Sequence, residues 1–153
     1  MNNVSLAITM SSTVNVEGSV NNSATINATT SSTVNIKGNL DNKANFQITE
    51  NSMASISGNV TNSAHIFVSE NSLAFVGGSL ENNANLRVES NSSIVVQGDL
   101  NNNAKLIVSL YSSASPSKVG VRVEGDLVQS SDGVLCWFST LSRRRKELLK
   151  QLL

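Results

Sequence analysis

One spacing governs this chain: residues twenty apart are alike. Gly18, Gly38, Gly58, Gly78 and Gly98 form one column, and Asn22, Asn42, Asn62, Asn82 and Asn102, preceded by Asn2, form a second. Ser12, Ser32, Ser52, Ser72, Ser92 and Ser112 make a third, and Ala24 to Ala104 a fourth. Apolar columns run between them, from Val14 to Ile94, Val16 to Val96, Val20 to Leu100, Ile26 to Leu106 and Ala28 to Val108. A fixed period in this range marks a repeat architecture and takes precedence over any local reading. All of these positions are even-numbered, which is the alternation of strands with one face turned inward. An even repeat preserves that phase in every copy.

Twenty residues of mostly extended chain cannot form a flat hairpin sheet that places every copy's apolar set on one side. A coil that winds once per repeat can, because each strand then pairs with its equivalent in the next coil and each column stacks on itself. The fold expected is therefore all-β, a single parallel β-solenoid with about 20 residues per coil. Glycine is expected where the chain bends inward or takes a positive φ. Asn suits a corner, since it tolerates the left-handed conformation and bonds up and down a stack of its own kind. Inward Ser does the same with a hydroxyl. Every one of these columns has a structural role, and none calls for catalysis. The pattern covers residues 1 to about 110, or roughly five and a half coils, a rod of about 26 Å at about 4.8 Å per rung.

"LYSSASPSKVG", residues 110 to 120, breaks the period, and Pro116 lacks the donor that a ladder needs. "VRVEGDL", residues 121 to 127, restores the motif of "VVQGDL" seven residues late, with Gly125 in the glycine role. "SSDG" at 130 to 133 reads as a turn. Beyond it Leu141, Leu148, Leu149, Leu152 and Leu153 fit the apolar stripe of a short amphipathic helix with Thr140 or Ser142 as its N-cap. The expected division is a solenoid domain over 1–135, with a loop insertion near 110–120, and a helical tail or cap over 136–153, in which Trp137 and Phe138 close the C-terminal end of the core.

The formal net charge is zero, but its distribution is uneven. Arg143, Arg144, Arg145, Lys146 and Lys150 face only Glu147 in the tail, leaving six basic and ten acidic side chains in the body. The basic run could touch phosphates or anionic lipid; a solvated helix face is the ordinary reading and the one preferred, with no nucleic-acid partner expected. A lone Cys136 excludes an intrachain disulfide framework and a cysteine-rich zinc site. No run of 18 apolar residues is present, so an ordinary membrane-spanning helix is not expected. The start "MNNVSLAITMSS" carries neither a basic segment nor a continuous apolar one, so no secretory signal is read from it. The chain is cytoplasmic by default and extracellular if it is a fragment.

Chemistry-bearing residues are scattered. His65 is at an outward position in a column with Thr25, Asn45, Asn85 and Lys105, and no second histidine joins it; it reads as a solvated surface side chain. Glu50, Glu70, Glu89 and Asp99 do not form a paired-carboxylate motif. Cys136, beside Trp137 and Phe138, reads as a small hydrophobe rather than a nucleophile, because no histidine base accompanies it. No glycine loop, metal-ligand spacing or triad is found, and neither an enzyme nor a cofactor is expected. Thr13 and Thr33 give way to Met53, Leu73 and Ser93, which breaks the regular threonine rank that ice binding needs. In the later coils Phe67, Leu73, Phe75, Val95 and Ile107 replace Asn, Ser and Gln at outward positions. Collected apolar side chains on a surface imply that something packs there, either the tail or another subunit.

The recurring "VxGxLxNxAxIxV" resembles the β-helical repeats of filamentous-haemagglutinin-type adhesins and autotransporter passengers, over about 110 of the 153 residues. In size and layout the chain is similar to bactofilins, bacterial cytoskeletal proteins that polymerise end to end. Both resemblances imply a right-handed coil, and neither carries over a functional residue. Two functions remain open. One is a self-assembling scaffold or filament subunit, a homo-oligomer or polymer, favoured because residue 1 already lies inside a repeat, which leaves Val4, Leu6 and Ile8 in phase with Ala24, Ile26 and Ala28 and with nothing above them. The other is a fragment of an extracellular β-helical adhesin. The expected assembly interface draws on Val4, Leu6, Ile8, Phe67, Leu73, Phe75, Val95, Leu148, Leu149 and Leu152.

Overall fold

Each coil consists of three short strands separated by bends, and every strand pairs in parallel with its equivalent one coil away. The computed structural model describes residues 5–110 and 120–139. Sheet I holds β1 (Leu6–Ile8), β4 (Ile26–Ala28), β7 (Phe46–Ile48), β10 (Ile66–Val68), β13 (Leu86–Glu89), β16 (Lys105–Leu110) and β19 (Val134–Ser139). Sheet II holds β2 (Thr13–Val16), β5 (Thr33–Ile36), β8 (Met53–Ile56), β11 (Leu73–Val76), β14 (Ser93–Val96) and β17 (Gly120–Val123). Sheet III holds β3 (Val20–Asn22), β6 (Leu40–Asn42), β9 (Val60–Asn62), β12 (Leu80–Asn82), β15 (Leu100–Asn102) and β18 (Leu127–Gln129). The chain is thus an all-β parallel β-solenoid, as the period of twenty requires.

Register follows the columns. Leu6 pairs with Ile26, Val34 with Ala54 and Leu80 with Leu100. After the interruption Val96 pairs with Val123 and Leu100 with Leu127, so the late motif does rejoin the ladder with Gly125 donating its N–H to the Gly98 carbonyl. A turn at Ser131 and Asp132 then leads into β19, which pairs along β16 from Lys105↔Val134 to Leu110↔Ser139. Cys136 to Ser139 are therefore solenoid strand rather than the start of the tail. The helix expected beyond them, with Leu148, Leu149 and Leu152, lies outside the described residues, as do Val4 and most of the 110–120 insertion.

The even positions point inward and close a single core. Val34, Ile36, Leu40, Phe46 and Ile48 contribute from one coil, each at most 2% exposed, and the pattern repeats above and below. Burying each such side chain contributes about 1.5–3 kcal/mol. Both ends of the described rod are looser: Leu6 is 37% exposed at one, and Leu127 and Leu135 are 52% and 50% exposed at the other.

The column glycines stand in a bend of each coil, as expected, but the left-handed conformation lies elsewhere. No described glycine has a positive φ. What the Gly58 position requires is space: a Cβ there would lie 2.8 Å from the Gly38 carbonyl oxygen and would also strike the Asn39 side chain. The glycines pack backbone on backbone, Gly58 N–H donating to the Gly38 oxygen at 3.1 Å. The left-handed residues lie instead at the bend between sheets I and II, in the pairs Met10–Ser11, Thr30–Ser31, Glu50–Asn51, Glu70–Asn71 and Ser90–Asn91, all with φ between 52° and 64°. Hydrogen bonds along the stack offset that strain, with Ser31 N–H donating to the Glu50 carbonyl and Asn51 N–H to that of Glu70, both at 2.8 Å.

Candidate functional site

Inside the rod the polar columns are structural. Asn22, Asn42, Asn62, Asn82 and Asn102 are all fully buried. Each donates one Nδ2 hydrogen to the next Asn Oδ1 at 2.7–2.9 Å, and Asn102 donates to Gln129 Oε1 at 2.9 Å. The second hydrogen goes to a backbone carbonyl, as from Asn42 to His65 at 3.3 Å. The column therefore occupies the interior end of each sheet III strand, not a left-handed corner. Ser52, Ser72 and Ser92 each accept the N–H of the serine one coil earlier at 3.0–3.1 Å. With donors and acceptors matched in this way, neither column has a side chain left over for a ligand.

Three surfaces remain. The first is the open mouth of the core at the first described coil, where Leu6, Val14, Val16 and Val20 are only partly covered and surround a mainly apolar concavity of about 230 Å³ that reaches Ile26, Val34 and Ile36. β1, β2 and β3 are the edge strands of their sheets. Ile8, expected here with Leu6, is 2% exposed and part of the closed core, whereas Leu6 is 37% exposed.

The second surface is the outer face of sheet II. Met53 and Leu73 are 39% and 36% exposed, and half-buried Phe75 and Val95 lie beside them in the neighbouring outward column. Phe67 and Ile107, expected in the same patch, lie on sheet I instead. The bend at Ser69 to Asn71 separates Phe67 from Leu73, so the sequence-adjacent apolar residues occupy two different sides of the rod. Exposed Glu50 and Glu70 stand on that bend, along the edge of the sheet II patch.

The third surface, on sheet I, is not evident in the repeat pattern because it arises from odd positions that vary. Phe67, Arg87 and Ile107 stack in one outward column, next to His65, Asn85 and Lys105 in another, around a shallow groove of about 440 Å³. The Arg87 guanidinium lies 5.7 Å from the Phe67 ring centre while its Nε donates to Glu89 at 2.7 Å. The Asn85 amide nitrogen is 3.2 Å from His65 Nδ1. These contacts engage His65, Asn85 and Arg87 among the groove's polar residues, which also include Asn45, Gln47 and Lys105.

Among the described residues no three His, Cys, Asp or Glu side chains gather in a way that could hold a metal ion, and no helix is long and apolar enough to cross a membrane. Comparison with protein-family models, curated proteins and solved structures returned no match. The resemblance drawn from the repeat therefore stands at the level of the parallel β-solenoid and no finer type.

Proposed function

We propose that this chain is a non-enzymatic structural protein, a β-solenoid scaffold that associates with further copies of itself. The observation behind this reading is the contrast along single columns. Val14 and Val16 are half-exposed, while Val34 and Ile36 one coil inward are 2% and 1% exposed. Covering the mouth removes apolar surface from water at roughly 25 cal/mol per Å² and gives the edge strands β1, β2 and β3 a partner for their unpaired backbone groups. A rod with one uniform core and self-saturated polar columns suits a load-carrying or spacing role.

The joint has a geometric constraint. Sheet I contains both the first and the last described strand, β1 and β19, whereas sheets II and III each have one strand fewer. A copy stacked head to tail with β1 on β19 thus leaves one rung of the other two sheets without a described strand. A second reading, a section of an adhesin-like rod, covers the same mouth with further coils of its own chain. Sedimentation of this chain over a hundredfold concentration range separates the two: mass that rises with concentration supports the scaffold, and a strict monomer throughout gives precedence to the adhesin reading.

A further inference from the structure

Among the described residues Lys37, Lys43, Arg87 and Arg122 each pair with a carboxylate, that of Glu17, Asp41, Glu89 and Glu124 respectively. Lys105 is the one described cation without such a partner, and it is exposed on the sheet I groove. No carboxylate lines that groove, although the body as a whole has ten acidic side chains against six basic ones. An unpaired ammonium in acidic surroundings attracts a ligand with spaced carboxylates, while the body repels a dense polyanion such as nucleic acid.

The rest of the groove is neutral and polar with one apolar flank. From Gln47 through Phe67 and Arg87 to the rung of Lys105 it climbs three rungs, or about 14 Å at about 4.8 Å each. The Gln47 amide makes no side-chain hydrogen bond among the described residues, and the contact between Asn85 and His65 leaves each with further donors or acceptors. Saccharide hydroxyls, which both donate and accept, match that mixture, and half-buried Phe67 presents an apolar ring to the C–H face of a sugar. An extended peptide is served less well. The backbone groups of these interior strands are engaged in the parallel ladder, so the groove has no strand edge for a peptide to pair with.

We propose that the sheet I groove binds an acidic saccharide, with the Lys105 ammonium on its carboxylate, Gln47, His65 and Asn85 on its hydroxyls and Phe67 against its apolar face. The site is on the flank of the rod, apart from the mouth, so it acts in a single copy and is displayed once per copy in an assembly.

Titration calorimetry of the full chain tests this with three probes of similar length: a galacturonate trisaccharide, neutral maltotriose and tri-glutamate. Saturable binding is expected for the galacturonate probe alone. Lys105→Ala should weaken it about tenfold or more, because a charge-assisted bond is lost. Lys37→Ala, which removes an equal charge outside the groove, should leave it unchanged, and both variants should melt like the unmodified protein. Absence of saturable binding at millimolar galacturonate probe, equal binding of maltotriose or tri-glutamate, or undiminished binding by Lys105→Ala would each overturn the proposal.

Discussion

Asn62 donates its side-chain amide to Asn82 Oδ1 at 2.8 Å and, with the remaining hydrogen, to the Asn85 carbonyl at 3.3 Å. It also accepts from Asn42 Nδ2 at 2.9 Å. Truncation by Asn62→Ala removes these three bonds, together with the one that Oδ1 accepts from the Ala64 N–H at 3.4 Å, and strands partners in the dry interior, where an unmet polar group costs about 1–3 kcal/mol. We expect a loss of roughly 3 kcal/mol or more. Asn62→Asp should be worse near neutral pH, because the carboxylate cannot donate and is desolvated, and its deficit should shrink as acid protonates it. Thermal melts of both variants from pH 4 to pH 8 check this; an Asp variant that loses stability on acidification would contradict it.

The glycine column separates crowding from backbone freedom. Gly58→Ala places a methyl 2.8 Å from the Gly38 oxygen, an atom fixed in the adjacent rung. The rungs must separate locally, which costs about 1–3 kcal/mol as overpacking does. Gly18 has nothing within 4 Å of the same position and no positive φ, so Gly18→Ala should be neutral or slightly stabilising. Denaturant midpoints for the pair decide the matter, and similar losses at both sites would argue against crowding.

Thr30 is a β-branched residue at φ 54°, a conformation that disfavours its side chain. Its hydroxyl donates to Glu50 at 2.8 Å, but at an exposed position where such a bond contributes little. Thr30→Gly should therefore raise stability by about 0.5–1 kcal/mol, the relief of left-handed strain exceeding glycine's entropic cost. A lowered melting temperature would show that the hydroxyl matters more than the backbone.

These sites show what the sequence could and could not convey. Columns of identical even-numbered residues revealed the solenoid and its register, including the late return at Gly125, since a stacked core repeats its chemistry exactly once per coil. The left-handed bend leaves no column in the sequence because its positions vary, from Met10–Ser11 to Glu50–Asn51: backbone hydrogen bonds along the stack hold it, so side-chain identity is only loosely constrained. The glycine column does mark a bend in every coil, but a letter in a column does not distinguish a positive φ from a close approach. Phe67 and Leu73 lie six residues apart in sequence, and that spacing conceals a change of side.

The last prediction concerns the mouth of the core, and there hydrogen-bond direction selects the substitution. Leu6 gives its N–H to the Thr25 carbonyl at 2.8 Å, toward the interior of the rod. Successive residues of a strand alternate direction, so the N–H of Ala7 faces the open edge, as that of Thr33 faces back to Ser12 one coil earlier. A proline at Leu6 or Ile8 would break the rod's own ladder and confuse loss of assembly with loss of fold. Ala7→Pro instead removes an edge-facing donor at a place where proline is tolerated. The variant is expected to keep the β-rich circular dichroism and melting transition of the unmodified protein while its concentration-dependent mass gain falls at least tenfold. Adding Leu6→Asp, which places a charge at the rim of the concavity, should abolish the gain altogether. If Ala7→Pro associates as strongly as the unmodified chain, the copies do not join through strand pairing at this mouth.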